Sequence, residues 1–210
     1  AGSDAEARAR AWALQTLTAK GFAGVRSESF EIDAWQRHDE GAEIIAPYPQ
    51  PLAVTALGGS VPTPEAGLLS KVSVFETVED LKRAPVGSVA GRIAYVGHAM
   101  QRTQDGSSYG YFNEARTAGP SIAASKGAVG YLIRSVGTDS HRFPHTGSLR
   151  YAVDIPRIPA MALSNPDADQ LERDDEEVPR RAEREALAEG AEGRCAEPPT
   201  LRGVLEGVGD

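Results

Sequence analysis

The sequence holds a single cysteine, Cys195, so it has neither an intrachain disulfide framework nor a multi-cysteine zinc site. Although 40% of its residues are apolar, no stretch approaches the ~20 consecutive apolar residues that a membrane-spanning helix needs. It is also short of positive charge: 22 Lys+Arg stand against 30 Asp+Glu, for a net charge of -8. A general phosphate-backbone binder needs a basic face, so neither nucleic acid nor a membrane is an expected partner. No G-x-x-x-x-G-K-[ST] and no G-x-G-x-x-G after a strand occurs, which removes phosphate cradling. The chain opens at Ala1 without a basic and then apolar leader, so any export signal is expected to be already gone or never present. What is there is 210 residues, enough for one large domain or two small ones. Twenty-two glycines and 14 prolines make it a chain of short elements and many turns.

Aromatic residues stop early. Every Trp, Tyr and Phe lies at or before Tyr151, while residues 174–210 carry 11 acidic and 5 basic side chains. A segment with that charge and no large apolar anchor cannot offset its ordering entropy. Residues 174–210 are therefore expected to be an acidic tail, disordered and not packed on the domain, with at most a short solvated helix over Pro179 to Leu187. Cys195 sits in this acidic setting, which disfavours a thiolate and a nucleophilic role.

The N-terminus reads as a capped helix. Ser3 and Glu6 form a capping-box pair, Ala11, Leu14, Leu17 and Thr18 fall on one stripe beside Trp12, and Gly21 suits a left-handed end. Val25 to Ile32 then reads as a strand. From about Ala42, short β-rich runs bounded by Gly or Pro follow: Ala53 to Leu57, Leu68 to Phe75, Arg92 to Val96, Ala128 to Ile133 and Ile158 to Leu163. A helix is predicted within Ala115 to Lys126, with Pro120 in a first turn. Another is predicted from Ser164 to Arg173, with Asp167 as the capping acid. The predicted class is mostly β with few helices, an α+β chain.

Residues that could carry chemistry are few. His141 and His145 are four apart, but Pro144 between them and the loop-like 137–147 run deny them a shared helical face for a metal. Gly106-Ser-Ser-Tyr-Gly110 matches G-x-S-x-G, yet the strand that must lead into a nucleophile elbow is missing, and a Gly/Ser-rich loop is the simpler reading. The long polar loops Gln101 to Phe112 and Gly137 to Thr146 carry aromatic and histidine side chains, as recognition loops on a rigid sheet do.

Three stretches carry a family resemblance. Gly119-Pro-Ser-Ile-Ala-Ala-Ser-Lys-Gly-Ala-Val-Gly-Tyr-Leu-Ile-Arg-Ser-Val136, Pro144-His-Thr-Gly147 and Ile158-Pro-Ala-Met-Ala-Leu-Ser164 with Asp167-Ala-Asp-Gln-Leu-Glu172 resemble the carboxypeptidase Q-like zinc exopeptidases. Val89 to Val96 and Ala53 to Thr63 are similar to the same family. The likeness covers about residues 1–173. It implies a protease-associated-domain-like β-sandwich or open barrel over residues 41–173, preceded over 1–40 by a helix and strand of a catalytic α/β domain. The family is also identified by a His-x-Asp pair, a bridging Asp, a Glu-Glu pair and a final Asp and His around two zinc ions, all after this domain. This chain has no His-x-Asp, so no catalytic or metal residue is carried over. Two explanations for the abrupt change after Arg173 are weighed, a truncated gene read in a shifted frame and a genuine variant tail, and the first is favoured.

The resemblance thus implies a non-catalytic part of a zinc-dependent exopeptidase that shapes or covers a substrate cleft. Two zinc ions are expected only in a full-length relative, and none in this chain. Expected partners are a peptide substrate bound through the parent enzyme and a second copy in a homodimer, and the expected location is outside the cytoplasm. The alternative is a free-standing peptide-binding module; a hydrolase using Ser108 or the two histidines ranks third. Arg102, Tyr109, His141 and His145 are the candidate cleft residues.

Overall fold

The computed structural model describes residues 2–32, 35–175 and 200–205. They divide into two compact units, one ending at Gln36 and one beginning at Arg37.

In the first unit, helix α1 (Asp4–Ala19) starts where expected: Ser3 Oγ accepts the Glu6 amide at 3.2 Å. It ends at Lys20, and Gly21 follows with φ +81°, a conformation that costs glycine nothing. Its apolar stripe stays uncovered, with no buried residue and Trp12 exposed. The strand expected over Val25 to Ile32 does not form: residues 25–32 have no strand pairing, and Phe30 and Ile32 are exposed. A strand exists only by pairing with another, and local sequence supplies the pattern but not the partner.

The second unit is built on one curled sheet. Its elements are β1 (Glu40–Ala46), β2 (Gln50–Leu52), β3 (Val54–Ala56), β4 (Leu68–Phe75), α2 (Val78–Arg83), β5 (Ile93–Val96), α3 (Tyr109–Thr117), α4 (Gly119–Ser125), β6 (Gly130–Arg134), β7 (Ala160–Leu163), α5 (residues 165–175) and β8 (Thr200–Leu205). The strand order is β2-β1-β8-β4-β5-β6-β7-β3. Neighbours from β4 to β7 run parallel, and the flanking pairs are antiparallel. The curl brings the ends together, so that the Ala56 amide on β3 donates to Glu40 Oε2 on β1 at 2.7 Å. An α+β open barrel is the observed class, as the sequence suggested.

All residues of β5, β6 and β7 are buried. Parallel strands covered on both faces need such continuous apolar runs, which is why these strands were legible. Alternate residues serve two cores. Ala94, Val96, Tyr131 and Ile133 meet Leu81, Phe112, Ala115 and Ala123 of α2, α3 and α4. Ile93, Tyr95 and Leu132 face the other core with Ile44, Val72, Leu163, Leu171 and Leu201. Tyr131 crosses to α3, where its hydroxyl donates to Ala115 O at 2.8 Å. A Cβ on Gly119 would sit 2.1 Å from that hydroxyl, so the junction of α3 and α4 has room for glycine alone.

The helix predicted within Ala115 to Lys126 forms as α4 with Pro120 in its first turn, while residues 115–117 end the separate helix α3, because Pro120 has no amide hydrogen and clashes with a preceding helical turn. The acidic-tail expectation fails for residues 174–175 and 200–205, and the rest of that segment lies outside the described residues. Helix α5 runs past Arg173 to residue 175 with Asp174 buried, and Thr200–Leu205 forms β8 between β1 and β4. Leu201 is 1% exposed. The tail's net charge hid a short stretch, Thr-Leu-Arg-Gly-Val-Leu, that needs only one large apolar side chain to enter a sheet whose neighbours satisfy its backbone. The shifted-frame reading rested on a missing core pattern, and for 200–205 that ground is gone. Cys195 and the helix expected over Pro179 to Leu187 lie outside the described residues.

Candidate functional site

Two loops leave the same end of the sheet, residues 97–108 after β5 and 135–148 after β6. Parallel strands place such loops side by side at their C-terminal ends, where open α/β sheets bind ligands. Arg134, the last residue of β6, organises them. Its Nε donates to Gly97 O at 3.0 Å, and its Nη2 reaches Asp169 Oδ1 at 2.6 Å and Glu172 Oε2 at 2.8 Å on α5. Glu172 in turn accepts the Tyr95 hydroxyl at 2.7 Å. Burial, then the Glu172 charge, pushes the Tyr95 phenol well above its ordinary range. The Arg134 side chain is 7% exposed, so its two carboxylates are what permit a cation there.

The start of α5 ties down the second loop. Ser164 and Asp167 form the expected cap, with Ser164 Oγ donating to Asp167 Oδ2 at 2.8 Å and accepting the Asp167 amide at 3.3 Å. The same carboxylate accepts the Ala53 amide at 2.7 Å and pairs with Arg142 at 2.9 Å. Arg142 also donates to Pro51 O, which pins the middle of the loop to β2. Nearer β7, the His145 amide donates to Ser135 Oγ at 2.7 Å, Thr146 Oγ1 to Ala56 O at 2.9 Å, and the Gly58 amide to Gly147 O at 2.8 Å.

The expected cleft residues separate into distinct places. Tyr109, predicted in a loop, begins α3, and its hydroxyl lies 3.4 Å from His145 Nε2. Arg102 donates to Thr138 O at 3.1 Å and lines a cleft of about 380 Å³ with Arg134, Asp139, Asn165 and Asp169. His141 is exposed, and its amide closes a turn on Asp139 Oδ1 at 3.1 Å. Ser108 Oγ donates to Gln101 O and caps nothing, and no strand leads into it, so the nucleophile elbow is absent. His98 packs at 4.3 Å against Phe112 and edge-on to Tyr111, and burial lowers its pKa from the ordinary value.

Sequence reasoning passed over Arg116. It follows Tyr109 by seven residues and Phe112 by four, the spacing of one helical face, and that signal was available. Its guanidinium is buried, donates to Tyr109 Oη at 2.9 Å and to Asn113 Oδ1, and its Nε has no acceptor. Gly147 lies flat against it: a Cβ there would be 2.7 Å from Arg116 Cζ. Arg134 carries its own signal as well, since a lone cation in the run Gly-Tyr-Leu-Ile-Arg marks a buried pair. Among the described residues, no three His, Cys, Asp or Glu side chains come together as a metal site would require. No helix among them is long and apolar enough to cross a membrane.

No protein-family profile matches the chain. Carboxypeptidase Q of Bos taurus is 30% identical over 159 residues, covering 76% of the chain and 32% of that protein. The Xenopus laevis carboxypeptidase Q is 31% identical over 172 residues, covering 82% and 35%. The chain therefore spans about a third of the length of the curated relatives it matches. Among solved structures, a peptidase M28 precursor from Shewanella amazonensis SB2B matches with a TM-score of 0.84 at 38% identity, over 99% of the chain and 43% of that structure's chain. BSAP, a zinc aminopeptidase from Bacillus subtilis, shares the fold at a TM-score of 0.57 and 13% identity.

Proposed function

Because the chain is a partial homologue of carboxypeptidase Q and of an M28 peptidase, we propose that it is the non-catalytic, protease-associated portion of a zinc-dependent exopeptidase. In this role it shapes or covers the cleft in which a peptide is held. The observation that carries the reading is the convergence of loops 97–108 and 135–148 at one sheet end, fixed by Arg134 on one side and by the Gly58 and Ser135 contacts on the other. Rigidly held loops with mixed polar and aromatic side chains are what a recognition surface needs.

Zinc is part of this reading through the full-length relatives, one of whose structural neighbours is a zinc aminopeptidase. The exposure of Trp12 on α1 and of Phe22 and Phe30 after it supports assigning residues 1–40 to a helix and strand of the catalytic α/β part. Location outside the cytoplasm and pairing of two copies belong to the same reading.

Alanine at the positions of a full-length relative that align with Arg102, Tyr109, His141 and His145 tests it. KM for peptides should rise with kcat nearly held, and an unchanged KM would remove these loops from the cleft. The chain itself, assayed with added zinc, should leave peptides intact; turnover would overturn the non-catalytic assignment. The second reading, a free-standing peptide-binding module, is favoured by the preorganisation of residues 145–148 within this chain. Peptide affinity in the chain alone equal to that of a full-length relative would select it.

A further inference from the structure

Among the described residues, the buried cation of Arg116 pairs with no carboxylate. It is 8% exposed, and its partners, Tyr109 Oη and Asn113 Oδ1, are both neutral. The adjacent acid on α3, Glu114, is turned to Lys82 at 2.8 Å. Contrast Arg134, equally buried, which the fold provides with two carboxylates. A charge taken out of water without a counter-ion is costly, so an Arg kept in that state marks a place where an anion arrives from outside.

The surroundings say where it would arrive. One flank of the guanidinium is closed by Asn113 and another by the Gly147 backbone. The remaining contact is the Tyr109 hydroxyl, which sits at the surface beside the exposed His145 ring. Since Tyr109 Oη accepts from Arg116, its own hydrogen is left to donate, and the gap of 3.4 Å to His145 Nε2 is wide for a direct bond. The imidazole can donate from the same nitrogen. Two donors side by side, backed by a buried positive charge, match the two oxygens of a carboxylate. The Tyr109 ring and the His145 backbone are both held in place. The guanidinium also lies 5.5 Å from the centre of the Tyr109 ring, and His145 is held by its amide on Ser135 Oγ, itself bonded to Leu163 O at 2.5 Å.

We infer that Tyr109 and His145, charged from behind by Arg116, form a carboxylate-binding site at the junction of α3 with the loop after β6. Peptides are the ligand class, with either the free C-terminal carboxylate or an Asp or Glu side chain as the anion. This deepens the proposed role of the loops, but it is tested on the chain itself and so stands or falls apart from any effect on a parent enzyme.

The test follows the Tyr109 and His145 ring resonances by NMR during titration with three probes: N-acetyl-Ala-Ala as the free acid, N-acetyl-Glu-amide, and N-acetyl-Ala-Ala-amide as the neutral control. Saturable shifts with one or both acids, and none with the neutral amide, support the site. The free acid acting alone identifies a C-terminal carboxylate as the anion, and both acids acting identify any carboxylate. Tyr109→Phe keeps the ring and removes one donor, and should weaken binding roughly tenfold, the value of one hydrogen bond to a charged group. Arg116→Gln should abolish it, and because that side chain is buried the exposed His145→Ala variant serves as a second check, with a loss of roughly tenfold for the one donor it removes. Equal shifts with the neutral amide, no saturable shift with either acid, or full affinity in Tyr109→Phe and His145→Ala would each overturn the assignment.

Discussion

Leu201 lies opposite Ile44 where β8 runs antiparallel to β1, and both side chains are buried. On its other side Leu201 pairs with Ser70 of β4. No bond of the ladder joins β1 to β4 directly, so within the ladder β8 is what connects the β1–β2 hairpin to the parallel strands.

Leu201→Ala should therefore cost about 2–4 kcal/mol, because the site borders an apolar gap of about 30 Å³ that neighbouring side chains have not closed. Urea unfolding of the two proteins measures it. A change below about 0.5 kcal/mol, the size of an ordinary surface substitution, would show that β8 contributes little. Ending the chain before Thr200 should expose the inner edge of β1 to protease, whereas a body equally resistant without β8 would restore the unpacked-tail expectation.

Arg134→Ala removes the cation shared by Asp169 and Glu172 and leaves the buried side of Glu172 facing only Tyr95. Losing one partner of a buried pair costs about 3–5 kcal/mol, and the half-exposed Asp169 brings the expected loss to about 2–3 kcal/mol. Arg134→Met should recover part of it by filling the space without charge. Thermal unfolding of wild type, Ala and Met variants separates these outcomes, and equal loss in both would mean the charge itself matters most.

Alkaline pH should weaken the fold. Burial holds the phenols of Tyr95, Tyr131 and Tyr151 above their ordinary value of 10.0, with the Glu172 charge adding to the push at Tyr95. Above about pH 10 the unfolded chain releases these protons while the folded chain retains them, so the unfolded state binds fewer protons and stability falls as pH rises. Below pH 10 this contribution is fully present. Denaturant midpoints should be level to about pH 9 and drop beyond about pH 10, and Tyr131→Phe should flatten the drop. An unaltered slope in that variant would assign the alkaline loss to other groups.

Gly147→Ala places a methyl group 2.7 Å from Arg116 Cζ, and the buried guanidinium has little room to move away. The expected cost is about 1–3 kcal/mol of overpacking. The Tyr109 ring resonance should shift with it, because the Arg116 contact at 2.9 Å is disturbed. A folded variant with wild-type stability and unchanged Tyr109 signals would show that Arg116 yields freely.

Much of the framework could be read in the order of residues. Strands β5 to β7 announced themselves because a strand covered on both faces is a near-continuous apolar run, as Ile93–Val96 and Ala160–Leu163 are. The caps at Ser3 and Ser164 were legible for a similar reason, since each acts within four residues of itself. Helix α2 carried an equally local signal, the Thr77 and Asp80 capping box, that sequence reading passed over. Val25 to Ile32 shows the converse: a β pattern without a paired neighbour forms no strand and leaves Phe30 and Ile32 exposed. Strand β8 could not be found along the chain, because its place is granted by β1 and β4, which lie more than a hundred residues earlier and complete its hydrogen bonds. The candidate site divides in the same way. Local order presented Tyr109 and His145 as polar loop residues, while only the folding of α3 against the loop after β6 set them 3.4 Å apart over a buried Arg116. Burial and charge pairing are properties of neighbours in space, and the sequence states them only where spatial neighbours are also neighbours along the chain.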